Sequence, residues 1–359
     1  MNLLLNSIFN GDCKELLART PDASVDLIVS SPPYNIGKEY ESRVALELYL
    51  NEQRSVLSEC VRILKDTGSI FWQVGSYSHN GNIIPLDIRF FPILEDLGLN
   101  PKNRIMWVRQ HGLHAKRKFS GRHESILWFT KTDNHKFNLD PIRVPQKWQN
   151  KKSYRGENKG ELTCNPDGKN PGDVWLFQNV KHNHHEQTIH PCQFPEDMIA
   201  RIVLSTTEPG DVIFDPYMGT GTVAVVARDL GRRYAGAELD PRYYEVAMRR
   251  VTGEPNANGS FANLKCLRAH VEKTGEPTSR FRFDVQIGST ATTGGNSKIF
   301  PEHYHLDEAE RRISYEEDAF AAKLRGLPIP VDANLNGGGA PKLIKKKKPA
   351  RGQAQLFDD

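Results

Sequence analysis

The sequence predicts an α/β protein with a doubly wound, mostly parallel sheet. Short apolar strand-like runs alternate with helix-period segments across residues 1–250. Two of those strands run into Pro- or Gly-containing loops followed by a helix. At 359 residues, the chain has room for one large α/β domain with additions, or for two ordinary domains.

Val25-Asp26-Leu27-Ile28-Val29 reads as a short buried strand, halted by Ser30-Ser31-Pro32-Pro33. Leu46 to Leu64 places Leu46, Leu50, Leu57, Val61 and Leu64 at helical spacing, with Gly68 as the stop. Ser69 to Val74 is the next strand, and Pro85 to Leu97 a helix closed by Gly98. Ile105–Val108 and Ile126–Phe129 are further strands. Residues 138–192 then turn polar, rich in Asn, Lys, Gly, Pro and His, with little periodicity. They read as an inserted, loop-rich region. Regular signals return with a helix over Glu196–Leu204 and a strand over Asp211–Phe214. The loop from Asp215 to Thr222 follows, then a helix over Val223–Leu230 ended by Gly231. Tyr234–Glu238 is a strand and Arg242–Val251 a helix. This alternation implies right-handed βαβ units. Beyond residue 252 the signal weakens. Gly288–Ser297 reads as a linker, and Leu306–Leu324 as a charged helix. Gly337-Gly338-Gly339 and Lys345–Lys348 mark a flexible tail. The expected organisation is a core over 1–252, an accessory segment over 253–330 and a disordered basic tail over 331–359.

No run approaches the roughly 18 apolar residues that span a bilayer, so no membrane association is expected. The start, MNLLLNSIFNGD, lacks a basic and long apolar leader. Five scattered cysteines without a CxxC pair argue against a disulfide framework and fit a reducing cytoplasm. The net charge of +4 is small, but its distribution is uneven. Residues 101–160 hold 15 Lys/Arg against 4 Asp/Glu, a local balance of +11, with Trp107, Phe119, Trp128, Phe137, Trp148 and Tyr154 interleaved. Such a stretch suits a polyanion with stackable bases, and equally a solvated basic face.

Two loops carry chemistry. In the first, Gly219 and Gly221 follow a strand and precede a helix, so backbone amides and a helix N-terminus face a ligand. Glu238 ends the next strand, placed to accept hydrogen bonds from ribose hydroxyls. Nucleoside binding and a glycine turn needed for packing are the two readings. The second loop is Ser31-Pro32-Pro33-Tyr34. Its prolines present carbonyl oxygens without N–H groups, Ser31 adds a hydroxyl acceptor, and Tyr34 a flat face. A planar amino group needs those features, although a rigid Pro-Pro turn has the same sequence.

Together these loops resemble the amino-group DNA methyltransferases, which methylate cytosine N4 or adenine N6. The resemblance covers about residues 6–252. Asn10-Gly11-Asp12-Cys13, Ser24–Ile28 and Ser31-Pro32-Pro33-Tyr34-Asn35 are similar to the family's amino-terminal block. Asp211 to Thr222, with Phe214, Asp215, Pro216, Tyr217, Gly219, Gly221 and Thr222, is similar to its cofactor block. Gly236 to Arg250, with Glu238 and Asp240, is similar to the segment whose acid holds the cofactor ribose. His190-Pro191-Cys192-Gln193-Phe194-Pro195 resembles the block before the cofactor loop, with Phe194 where a lysine is usual. The catalytic loop precedes the cofactor loop, as in the β subgroup.

The resemblance implies a Rossmann-like methyltransferase fold, S-adenosyl-L-methionine as cofactor and double-stranded DNA as partner. It also implies a target-recognition region over about 138–190 and a cognate restriction endonuclease where the enzyme serves a restriction–modification pair. Ser31, Pro32, Pro33 and Tyr34 become the catalytic loop acting on a flipped base. Asp12 would contact the cofactor adenine. Ser at the head of the loop is associated with cytosine N4, Asp or Asn with adenine N6. Two other functions stay open: a DNA-binding protein of the same fold without turnover, and an RNA methyltransferase. His182, His184, His185 and His190, near Cys164 and Cys192, fit no established zinc spacing, so no metal is expected. Gln353-Ala354-Gln355-Leu356-Phe357 resembles the short peptide with which bacterial replication proteins dock on the sliding clamp.

Overall fold

The computed structural model describes residues 5–38, 41–79, 82–109, 114–144, 151–163, 165, 167–180 and 186–253. The linker, accessory segment, lysine run and the Gln353–Phe357 peptide lie outside these residues, as do His182, His184, His185 and Cys164.

Ten strands and six helices follow one another along the described chain. They are β1 (Ser7–Asn10), α1 (Cys13–Arg19), β2 (Val25–Ser30), α2 (Leu46–Ile63), β3 (Leu64–Val74), β4 (Ser76–His79), β5 (Asn82–Pro85) and α3 (Leu86–Asp96). Then come β6 (Asn100–Val108), β7 (His123–Thr130), β8 (Val174–Leu176), α4 (Glu196–Thr206), β9 (Val212–Asp215), α5 (Thr222–Asp229), β10 (Arg233–Glu238) and α6 (Pro241–Thr252). Eight strands form one sheet in the order β1-β10-β9-β2-β3-β7-β6-β8, and β4 and β5 pair separately. The block from β1 to β3 is parallel, β7 is antiparallel to β3 and β6, and β8 rejoins parallel to β6. The sheet is thus mixed but mostly parallel, the expected fold class.

The alternation of strand side chains feeds two cores. Leu27 and Val29 face α4, α5 and α6, while Ile28 faces α1, α2 and α3. Because both faces are covered, β2 and β9 are buried along their whole length. From β2 the chain crosses through α2 to β3, whereas from β9 it crosses through α5 to β10 on the other side. The strand order reverses between these neighbours, and the reversal opens a crevice beyond their carboxyl ends.

Four details differ from the sequence expectations. The helix α2 stops at Ile63, and Gly68 lies within β3 rather than ending a helix. Leu64 already pairs with Val25, and β3 advances five residues while β2 advances two before Ser69 pairs with Leu27. The buried face of α2 is Tyr49, Gln53, Val56, Leu57, Cys60 and Ile63, whereas Leu46, Leu50 and Val61 are half-buried at its margin. The short elements β1, α1, β4 and β5 were not legible as such. The loop-rich region contains β8, whose Trp175 is buried in the core, and three isolated bridges, beside otherwise irregular chain.

Gly236 shows how tightly β9 and β10 approach beneath the crevice. A Cβ there would lie 2.3 Å from the Asp215 carbonyl oxygen and 2.3 Å from Met218 Cε. Gly236→Ala should cost ~1–3 kcal/mol of unfolding free energy, since backbone must shift to admit it. Urea denaturation of the two proteins checks this; an unchanged midpoint would contradict it.

Candidate active site

A cleft of about 800 Å³ opens at the carboxyl ends of β2 and β9. Ser31, Pro32, Pro33 and Tyr34 line it from the loop after β2, and Pro216, Tyr217, Gly219 and Thr222 from the loop after β9 and the start of α5. Asp12 and Cys13 enter from the start of α1, Glu238 and Asp240 from the end of β10. The fold therefore gathers into one cleft all but three of the residues singled out in the sequence.

The exceptions are Phe214, Asp215 and Gly221, which stand behind the wall. Phe214 is fully buried between the α1–α3 layer and the sheet. Asp215 is fully buried too; its Oδ1 accepts from Ser30 Oγ at 2.5 Å and from the Tyr217 amide at 3.0 Å. Its Oδ2 is buried without a hydrogen-bond partner. Gly221 caps α5 with φ +82°, and a Cβ there would meet Ala247 Cβ of α6 at 2.9 Å. These three support the loop.

The loop after β2 is fixed from several sides. Tyr49 on α2 donates its hydroxyl to the Pro33 carbonyl at 2.6 Å. The Glu41 carboxylate accepts from the amides of Asn35 and Ile36 at 2.7 and 2.8 Å. Asn35, at φ +59°, exchanges two hydrogen bonds with the Val44 backbone. The Tyr34 hydroxyl donates to Gln73 Oε1 at 2.9 Å, with Glu124 Oε2 at 3.4 Å. Gln73 in turn donates its amide N–H to Glu124, and Glu124 pairs with Arg109 at 2.9 Å. Because the Tyr34 proton is engaged by Gln73, Ser31 is the donor in its 3.3 Å contact with Tyr34. The lone pairs of Ser31 Oγ remain as acceptors. Burial, with the charge of Glu124, pushes the Tyr34 hydroxyl well above its ordinary value, so it stays neutral.

The other half of the cleft is built around Glu238. Its Oε2 accepts from the Gly219 amide at 2.7 Å and its Oε1 from the Asp240 amide at 2.9 Å. Burial outweighs these bonds and pushes the carboxyl up to about 7; burial likewise lifts Asp215 to about 7. Asp12 caps α1 by accepting from the Lys14 amide at 2.9 Å. Burial pushes the Cys13 thiol up to about 12, so it is no thiolate nucleophile at neutral pH. His190 and Phe194 also line the cleft, with His190 against the ring of Tyr243.

Several supporting residues carried no sequence signal. Gln53 on α2 donates to the Tyr217 hydroxyl at 2.9 Å. Arg250, fully buried on α6, donates to the Thr220 carbonyl at 2.6 Å and to Thr222 Oγ1 at 3.0 Å, and pairs with Glu196 at 2.8 Å. It ties the loop after β9 to α4 and α6. Among the described residues no group of three or more His, Cys, Asp or Glu is arranged to hold a metal ion. None of the described helices is long and apolar enough to cross a membrane.

Glycine-bearing backbone beside a strand-end carboxylate, within a cleft of this size, fits an adenosyl cofactor. A family model described as DNA methylase matches residues 25–249. The type II methyltransferase M.BglII of Bacillus subtilis is 56% identical over 318 residues, 88% of each chain. The DNA adenine methyltransferase YhdJ of Escherichia coli K12 is 31% identical, over 77% of this chain and 91% of its own. Among solved structures, a DNA modification methylase of Thermus thermophilus, crystallised with S-adenosyl-L-methionine, matches with a TM-score of 0.50 at 26% identity, over 69% of this chain and 93% of its own. The chain belongs to the DNA methylase family, the amino-group methyltransferases that act on DNA with S-adenosylmethionine.

Proposed function

We propose that this protein methylates the N4 amino group of a cytosine flipped out of double-stranded DNA. The observation that carries the reading is the single cleft shared by the Ser31–Tyr34 loop and the Gly219–Glu238 pair. A target amine inside a duplex is out of reach, so the base leaves the stack at a cost of roughly a few kcal/mol. Stacking on the half-buried ring of Tyr34 recovers ~1–3 kcal/mol of this.

S-adenosylmethionine supplies an activated methyl group at this site. Glu238 would hold its ribose hydroxyls, the Gly219 backbone its close approach, and Asp12 its adenine. Residues 138–190 would read the DNA sequence, over basic flanks. Ser31 Oγ and the Pro32 carbonyl accept the two amine hydrogens. That draws the nitrogen lone pair out of conjugation and aims it at the methyl group. The catalysis is positioning by preorganised acceptors, and needs neither a metal nor a covalent enzyme intermediate.

Cytosine is favoured by Ser31, the residue that heads the loop in N4-specific members. Adenine N6 is the second reading, favoured by the 31% identity to a relative named as a DNA adenine methyltransferase. The same acceptors serve either amine. A cognate restriction endonuclease and clamp docking through Gln353–Phe357 remain proposals of the same kind.

Nucleoside mass spectrometry of DNA treated with the protein and S-adenosylmethionine tests the assignment. N4-methylcytosine is the expected product. N6-methyladenine would move the assignment to adenine, and neither product, with cofactor bound, would overturn both.

The raised carboxyl of Glu238 gives a pH test. Below about pH 7 it becomes neutral and accepts ribose hydrogen bonds more weakly, so cofactor affinity should fall between about pH 8 and pH 6. Stability of the protein without cofactor should move the opposite way. With carboxyl values raised on folding, the folded state holds protons that the unfolded state releases, so stability rises as pH falls through about 7 towards the ordinary carboxylate range. Calorimetric titration and thermal unfolding across pH check the two slopes. Glu238→Gln should flatten the binding slope; an unchanged slope would contradict the assignment.

A further inference from the structure

The connection between β6 and β7 runs from Arg109 to Arg122, fourteen residues where two to five is usual for a hairpin. Its base is closed: Val108 pairs with His123, and the Arg109 amide donates to the Arg122 carbonyl at 2.7 Å. Its tip is tied by the Ala115 amide on Ser120 Oγ at 3.0 Å. Inside that turn Phe119 is 98% exposed, beside exposed Lys116 and Arg117. One exposed apolar ring on a surface is ordinary. Its setting is not, because both ends of this loop are bonded into the catalytic half of the cleft. Arg109 pairs with Glu124, and Glu124 meets both Gln73 and the Tyr34 hydroxyl.

Cations beside a wetted aromatic ring match a duplex that has lost a base from its stack. Phosphates lie outside and an apolar gap one ring thick lies inside. We propose that Phe119 is the wedge that enters this gap when the target base leaves for Tyr34, with Lys116 and Arg117 on the flanking phosphates. The bonds through Arg109 and Glu124 set the wedge relative to the ring that receives the base. The inference rests on the base-flipping reading above and adds the residue that holds the vacated space.

The test compares single-turnover methylation by the wild type, Phe119→Ala and Phe119→Trp at a mapped methylation site. One duplex has the target base paired; in the other it faces an abasic site, so that it is already free to leave. Phe119→Ala should be slower by about ten-fold or more on the paired duplex, the equivalent of losing part of one stacking step. It should come within about two-fold of wild type on the unpaired duplex, with cofactor affinity unchanged. Phe119→Trp should keep the wild-type rate. An equal loss on both duplexes, or no loss on the paired one, would overturn the wedge while leaving base flipping intact. A wild type that shows no fluorescence rise from 2-aminopurine placed next to the target would overturn base flipping, and the wedge with it.

Discussion

The seam between β2 and β9 is closed at its carboxyl end by one side-chain hydrogen bond, Ser30 Oγ to Asp215 Oδ1 at 2.5 Å. Everything chemical in the molecule lies just beyond it. Ser31 follows Ser30 and begins the loop that meets the base; Pro216 follows Asp215 and begins the loop that meets the cofactor. The reversal of strand order makes these loops neighbours, and the bond fixes their spacing. A methyl group can be passed only if its donor and the amine are held in line at short distance, so this spacing is the quantity that the sheet has to deliver.

That delivery carries a cost in stability. Asp215 is fully buried with one oxygen unpartnered, and Glu238 is largely buried at the end of the neighbouring strand. A carboxylate that bonds a serine and a backbone amide is well oriented but poorly solvated, and its raised proton affinity measures the penalty. The surrounding sheet offsets it. Both faces are covered by three helices, and β2 and β9 are apolar nearly throughout. Arg250 and Glu196, a buried and hydrogen-bonded pair, brace the Gly219–Thr222 loop from behind. The rigid part of the molecule therefore lies under the site, and the exposed loops that face DNA lie around its rim.

Much of this was legible in the sequence, for a physical reason. The strands β2, β3, β7, β9 and β10 are buried on both faces, so they appear as continuous apolar runs. The strands β1 and β8 sit at the sheet edges and mix polar with apolar residues over three or four positions, too short for a period to show. The loops of the site were legible because backbone demands fix their residue types, with proline where N–H groups must be absent and glycine where side chains would collide. What was missed is long-range. Gln73, Glu124 and Arg109 meet Tyr34 only through the antiparallel pairing of β3 with β7 and β6. Tyr49 and Gln53 are polar residues on a face expected to be leucine. Their partners, the Pro33 carbonyl and the Tyr217 hydroxyl, become visible only in three dimensions. The same limit applies to Phe214, Asp215 and Gly221, whose motif placed them at the cofactor while the fold sets them one layer behind.

A double-mutant cycle on Ser30→Ala and Asp215→Asn tests this coupling most directly, read as the single-turnover rate of methyl transfer at saturating cofactor and DNA. If the bond sets the spacing of the two loops, either substitution alone should slow transfer, and the pair should be no slower than the worse single variant, a coupling of about 1 kcal/mol or more. Effects that simply add would contradict the account, because the two residues would then act on the loops independently.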